Sequence, residues 1–319
     1  MEFITPVNIV VSSAGILFNL VNITVFLLQD WKTNNVTLTL LSLSITDLLV
    51  LVACVVFDLF SILQTALPTS SFDFIAVQYY IVAWSMAMFS DLSSLTTVLV
   101  SLERCLCIIT PLHVQSLFSV RRTLAALAGL WILVVLGYAV LFSTLTLNWT
   151  HDDRFNTSKL SVALSAQRMK VEMGHNITNT IILPSFSELA VVINTVVMMT
   201  GLKRSSNFQK NYTHISPDYT SSQTTSAQKY KRLAVVVCSI SGIFIACNTP
   251  TVIFIYCKHF VSGFSYTGIY SQWYMASIYI IFLLYAVNAS VNFFVYFFLN
   301  QRFRDKLKEI LGCPGMFID

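Results

Sequence analysis

The chain has 319 residues, 55% of them hydrophobic and 11% charged, with a net charge of +4. A soluble domain carries about 25% charged residues, so this chain lacks the polar groups to cover a surface in water. Composition excludes an ordinary soluble enzyme and predicts an all-α membrane protein with lipids as its partners. The modest net charge gives no sign of a nucleic-acid partner.

A membrane span needs about 20 mostly apolar residues. Seven runs meet this, at residues 6–29, 38–63, 75–109, 121–147, 173–202, 227–256 and 273–299. In lipid the backbone must satisfy its own hydrogen bonds, so each run predicts a helix. The first starts within ten residues of Met1 and is too long for the apolar core of a secretory signal, so no cleavable leader is expected. The third and fifth exceed a perpendicular crossing, which predicts tilt or extension past the bilayer. Residues 1–299 thus read as one seven-transmembrane helix bundle. Residues 300–319 read as a cytoplasmic amphipathic eighth helix with a short tail. Within Asn300–Leu311, the residues Phe303, Leu307, Ile310 and Leu311 share one face and the charges share the other, as in a helix lying on a membrane. Cys313 follows at once and is a candidate for palmitoylation.

Fourteen of the nineteen Lys and Arg fall on one side of these spans. The positive-inside rule makes that side cytoplasmic. The expected placement is a multi-pass protein of the plasma membrane, with the N-terminus extracellular and the C-terminus cytoplasmic. The polar segment Asn148–Glu172 then lies outside, with sequons at Asn148 and Asn156 as candidate glycosylation sites. The Ser/Thr-rich segment Lys203–Ser226 lies inside and is expected to be mobile. The seven cysteines show no metal-ligand spacing, and no metal or cofactor is expected beyond a sodium ion at Asp47.

Polar groups within the spans narrow the function. A charge at the bilayer centre costs about 2.5–3.5 kcal/mol on insertion scales, so each one implies a partner or a role. Asp47 falls mid-span, as do Asn19, Ser93, Asn288 and Asn292. A carboxylate with neutral oxygens suits a small hard cation; a plain interhelical hydrogen-bond network is the other reading. Glu103-Arg104 ends the third run, either as an interfacial anchor or as a switch, with Pro111-Leu112 shortly after. Asp58 and Asp91 are acids within spans, explained by a cationic ligand or by internal hydrogen bonds.

In order and spacing these residues resemble the rhodopsin-like (class A) G protein-coupled receptors over nearly the whole chain. Asn19 in FNLVN, Asp47 in SLSITD, Glu103-Arg104-Cys105, Trp131, Pro184, Cys247-Asn248-Thr249-Pro250 and Asn292-Phe293-Phe294-Val295-Tyr296 match successive family motifs. The local wording of WKTNNVTLTLLSLSITDL and ERCLCIITPL is similar to gastropod-type chemosensory and peptide receptors.

The resemblance implies a non-enzymatic receptor that passes an extracellular signal to a heterotrimeric G protein. Glu103 and Arg104 would form the switch, with Tyr296 moving inward and Pro250 hinging the sixth helix. Asn19, Asp47, Ser93, Asn288 and Asn292 would line a sodium and water cluster. The candidate pocket residues are Asp58, Trp84, Met86, Asp91, Asn248, Tyr256 and Trp273, for a peptide or small chemosensory ligand. Met86 stands where amine receptors place their anchoring Asp, and Ala286 where opsins carry Lys, which argues against both ligands.

Three departures matter. Asn248 replaces the pocket-floor Trp, and Phe293 replaces the Pro of N-P-x-x-Y. Tyr79 stands at the usual third-helix disulfide position and Asn148–Glu172 contains no Cys, so a loosely held outer loop is expected. Tyr230 replaces the acid that often locks the switch Arg, so appreciable basal signalling is expected. A seven-span channel or transporter is the alternative reading, but transporters tend to repeat their halves, and no internal repeat is found.

Overall fold

The computed structural model describes residues 4–109, 118–152, 156–213, 221–265 and 268–312, and for residues 152, 204–213 and 221–233 the backbone alone. Pro111, Leu112 and Cys313 lie outside the described residues. Seven helices are long and apolar enough to cross a membrane. They are α1 (Ile4–Leu27), α2 (Asn35–Ala66), α3 (Phe74–Ile109), α4 (Val120–Phe142), α5 (168–213), α6 (Ser221–Phe260) and α7 (Ser271–Leu299). A short α8 (Gln301–Leu311) follows.

Capping residues fix several of these ends. The Asn34 side chain accepts from Val36 N–H at 3.1 Å and starts α2. Asp73 accepts from Ala76 N–H at 3.0 Å and starts α3. Each satisfies an orphan donor of the first turn. Both α3 and α5 open into wider π turns near one end, at Gln78–Val82 and Asn176–Ile182. Such turns arise where a residue is inserted into the helical repeat.

The fourth apolar run predicts a helix to residue 147, but α4 stops at Phe142. The chain leaves it for a strand, β1 (Leu145–Asp152), paired antiparallel with β2 (Thr157–Leu164). Asn156 turns the hairpin at φ 49°, in the left-handed region that a short polar side chain tolerates. The fifth helix correspondingly starts at Arg168 rather than near residue 173.

The hairpin corrects the expectation of a loosely held loop. Leu160 N–H donates to the Ser71 carbonyl at 2.8 Å, and Asp73 N–H donates to the Leu160 carbonyl at 3.0 Å. Ser161 Oγ donates to Asp73 Oδ2 at 2.6 Å, and Lys159 Nζ donates to the Pro68 carbonyl at 2.9 Å. Arg168 completes the attachment. It is 4% exposed, donates to Leu141 O and Thr144 Oγ1 at 3.0 Å each, and pairs with Glu172 at 3.0 Å. Its guanidinium lies 5.9 Å from the Tyr80 ring and 5.7 Å from the Trp84 ring. Non-covalent bonds thus pin the hairpin and the ends of α3, α4 and α5 together, without a disulfide among the described cysteines.

Side chains of opposite character sort to the two sides of the helices. Val10, Leu17, Ile132, Leu133, Leu136 and Leu189 are exposed, as a lipid-facing surface requires. Inside, one apolar cluster joins Val25, Phe26, Leu43, Val100, Val237, Ile240 and Tyr296 at the α8 end of the bundle. Phe303 and Leu307 of α8 pack into it, whereas Ile310 and Leu311 stay exposed. The apolar face of α8 therefore divides between bundle and lipid. Close approach of α1 to α7 depends on Gly15, where a Cβ would fall 2.9 Å from both Ser290 Cβ and Leu51 Cδ1.

If hydrogen bonds alone hold the hairpin, dithiothreitol should leave the thermal unfolding midpoint of the purified protein unchanged. Arg168→Leu should lower it, by about 2 kcal/mol for hydrogen bonds to a charged group. A midpoint that falls with reductant but not with Arg168→Leu would sink this account.

Candidate functional site

The candidate residues divide by depth, and helix periodicity explains why. On α2, Asp47 and Asp58 lie eleven residues apart, close to three turns, and Thr39, eight residues before Asp47, falls within about 80° of it on the same side. All three are buried. The α2 face that carries them looks into the bundle at three levels.

At the middle level Asp47 is fully buried. Ser93 Oγ of α3 donates to its Oδ1 at 2.6 Å. Asn292 Nδ2 of α7 donates to its Oδ2 at 2.8 Å. One carboxyl thus ties α2 to two other helices. Asn19 serves a different junction: its Nδ2 donates to Ala289 O at 2.8 Å and to Gly15 O at 3.0 Å, joining α1 to α7. Asn288 is half-buried and is not among the groups that hydrogen-bond Asp47. Of the five residues expected in one cluster, three meet directly. The hard oxygens there are Asp47 and Ser93, a set that suits a small cation. Asn292 presents N–H to the carboxylate and so orients it.

Toward the α8 end, Arg104 Nη2 pairs with Glu103 Oε1 at 2.6 Å. The two are 5% and 2% exposed, so this is no snorkelling anchor at the water interface. Neighbouring residues do not share a helix face, and only the length of the Arg side chain lets it reach back. Thr39 Oγ1 of α2 lies 3.3 Å from Glu103 Oε2 and donates to it. Arg104 Nε has no hydrogen-bond partner among the described residues. Tyr296 is fully buried, with its ring 5.2 Å from Phe26 and 5.7 Å from Phe303. Its hydroxyl also lacks a partner among the described residues.

At the hairpin end the pocket candidates are less assembled. Asp58 accepts from Asn8 Nδ2 of α1 at 2.5 Å, and Asp91 accepts from Tyr138 OH of α4 at 2.7 Å. Internal hydrogen bonds thus account for both acids. Met86 is 1% exposed against Cys54, its sulfur 3.4 Å from Cys54 Sγ. Trp84 packs edge-on against Tyr138 and His175 beside Arg168. Tyr256 reaches Ser185 at 3.1 Å across to α5, and Trp273 is 72% exposed. Asn148 and Asn156 stand exposed on the hairpin. Pro250 lies inside α6, where it withholds one backbone donor. Just before it, Asn248 Nδ2 and Thr249 Oγ1 lie 2.9 and 2.6 Å from Glu188 of α5.

Sequence patterns did not indicate the partners Thr39, Asn8, Tyr138 and Arg168. Each is a common residue type in an apolar run or polar loop, and only helix rotation brings it to its acid or acceptor. Asn194, whose Nδ2 donates to Ser101 Oγ at 3.0 Å between α5 and α3, is another such residue. The hairpin did carry a signal: the alternation in Thr144–Leu147 and Lys159–Val162 flanks an Asn/Asp-rich turn.

Comparison with known proteins agrees with this geometry. A family model described as "7 transmembrane receptor (rhodopsin family)" matches residues 18–296. The chain is also similar to the Allatostatin-A receptor of Bombyx mori, 23% identical over 318 residues, covering 96% of this chain and 78% of that one. These findings do not favour the channel or transporter reading. From the seven helices, the motif residues they bring inward and the family match across them, the chain belongs to the rhodopsin family of seven-transmembrane receptors, a non-enzymatic class of G protein-coupled receptor.

Proposed function

We propose that this receptor works at the plasma membrane, with its hairpin end outside, and passes ligand binding to a heterotrimeric G protein at its α8 end. The buried Glu103–Arg104 pair is the observation that carries this reading. Two charges desolvated side by side at a helix end are costly unless they stay paired. They therefore define a closed arrangement that a competing partner for Arg104 can open. Tyr296, buried one turn beyond Asn292, would follow α7 when that happens. Pro250 supplies the weak point in α6. Ligand would act by population shift, binding the open arrangement better than the closed one.

The ligand reading is a peptide or a small chemosensory molecule received at the hairpin end, near Asp58, Trp84, Met86, Asp91, Asn248, Tyr256 and Trp273. A peptide is consistent with the name of the Bombyx mori relative. Asp47 and Ser93 are the residues that would hold a sodium ion, whose charge would offset the buried carboxylate. Orientation rests on the Lys and Arg count, on the exposed sequons of the hairpin and on the placement of α8. Palmitoylation at Cys313, one residue past the helix-ending Gly312, would add a second membrane attachment.

Ligand-free second-messenger output of the parent should exceed that of untransfected cells, and Arg104→Ala should remove the excess. Output from Arg104→Ala equal to that of the parent would count against the switch. Sodium should lower basal nucleotide exchange in the parent and leave Asp47→Asn unaffected; an equal sodium response in both excludes the Asp47 site. Digestion with an N-glycosidase should shift the parent on a gel, with the shift lost in the Asn148→Gln/Asn156→Gln double variant. Glycan on a sequon engineered near Asn211 would reverse the proposed orientation.

A further inference from the structure

Glu188 is the one Asp, Glu, Lys or Arg of α5 between Glu172 and Lys203, and neither the switch nor the sodium cluster involves it. It is half-buried. Its two oxygens are used separately: Asn248 Nδ2 donates to Oε2 at 2.9 Å, and Thr249 Oγ1 stands 2.6 Å from Oε1. Thr249 Oγ1 also lies 2.7 Å from the Ile245 carbonyl, one turn back on its own helix. Those two α6 residues immediately precede Pro250. That proline has no N–H for the Ala246 carbonyl, so α6 is weakest where Glu188 grips it. A bidentate contact restrains rotation of Asn248 and Thr249 about the α6 axis, whereas a single apolar contact would not.

We infer that Glu188 is a positioning residue, a clasp between α5 and α6 that restrains the Pro250 hinge in the closed receptor. The assignment rests on the receptor reading of that hinge. Its state is fixed by coexistence, because the clasp is made in the same arrangement that buries the Glu103–Arg104 pair. Rotating or bending α6 at Pro250 carries Asn248 and Thr249 away from α5 and breaks both bonds. Asn248 stands where many relatives place an aromatic side chain, so this receptor replaces a packing contact at the hinge with a polar one. Ligand at the hairpin end would reach the hinge by competing for the Asn248 amide.

Parent, Glu188→Leu, Glu188→Gln, Thr249→Val and Arg104→Ala receptors in nanodiscs test this. Two readouts are used. One is basal nucleotide exchange on a panel of purified heterotrimers. The other is the distance between spin labels at Arg122 on α4 and on the first turn of α6. Thr249→Val should raise basal exchange about threefold, the shift for loss of one interhelical hydrogen bond in a membrane, and Glu188→Leu, which loses both bonds, about eightfold. Both should lengthen or broaden the label distance. Their double variant should add little to Glu188→Leu, which already removes both bonds of the clasp. Glu188→Gln should behave as the parent, since an amide can accept from Asn248 and donate to Thr249. Parent-like exchange and distances in both Glu188→Leu and Thr249→Val overturn the clasp, as does a Glu188→Gln receptor that behaves like Glu188→Leu. Exchange absent from every receptor while the distance still lengthens supports the clasp and overturns the G protein reading instead.

Discussion

The carboxyl of Asp47 is the constraint around which the helices are arranged. A fully buried acid in lipid must have its oxygens occupied, and the only donors at that depth come from neighbouring helices. Ser93 and Asn292 each take one oxygen. Rotating α3 or α7 by one residue, about 100°, would withdraw the donor and leave the acid unmatched. Relative rotation of three helices is thereby set by one side chain. Apolar packing against lipid tails would not select it, since a tail is as apolar as Leu.

The same logic repeats across most of the bundle. Asn8 and Asp58 join α1 to α2, Asn19 joins α1 to α7, and Thr39 and Glu103 join α2 to α3. Asp91 and Tyr138 join α3 to α4, and Ser101 and Asn194 join α3 to α5. Glu188 with Asn248 and Thr249 joins α5 to α6. Each such bond adds only about 0.6 kcal/mol inside a membrane. Their sum is modest, but each is directional, so together they specify neighbours and register more than they add stability. Arg168 and Asp73 extend this to the hairpin end, where hydrogen bonds do what a disulfide does in many relatives.

Much of this is legible in the sequence. Seven apolar runs, a charge pair at the end of one and an acid inside another are conspicuous because lipid makes polar residues expensive. Spacing along the chain then carried Asn19, Asp47, Arg104, Pro250 and Tyr296 to their places. What stayed hidden was pairing. Tyr138 and Asn8 look like ordinary members of apolar runs, and their acids lie 47 and 50 residues away. A partner across a bundle depends on rotation and tilt, which hydropathy does not encode. The hairpin was missed for the opposite reason. Its strand begins within an apolar run, so the hydropathy of β1 continues that of the fourth span although its alternation has a period of two.

Signalling needs a bundle that holds one arrangement and still gives way to another. In α6 the two halves are held differently. Toward the α8 end, Val236, Val237 and Ile240 contact Val100, Met198 and Tyr296 through apolar surfaces. Such contacts have no preferred direction, so α6 can slide or rotate there at little cost. At Pro250 the contact is polar and directional. On the proposed reading the clasp restrains the proline-weakened middle, and once it opens the helix would pivot there and swing at its apolar end. Shifting a population a hundredfold takes only about 2.7 kcal/mol, the scale of a few membrane hydrogen bonds. In the mechanism proposed above, a ligand that broke the Glu188 contact while gaining its own at the hairpin end would command enough free energy to expose Arg104, without unfolding any helix.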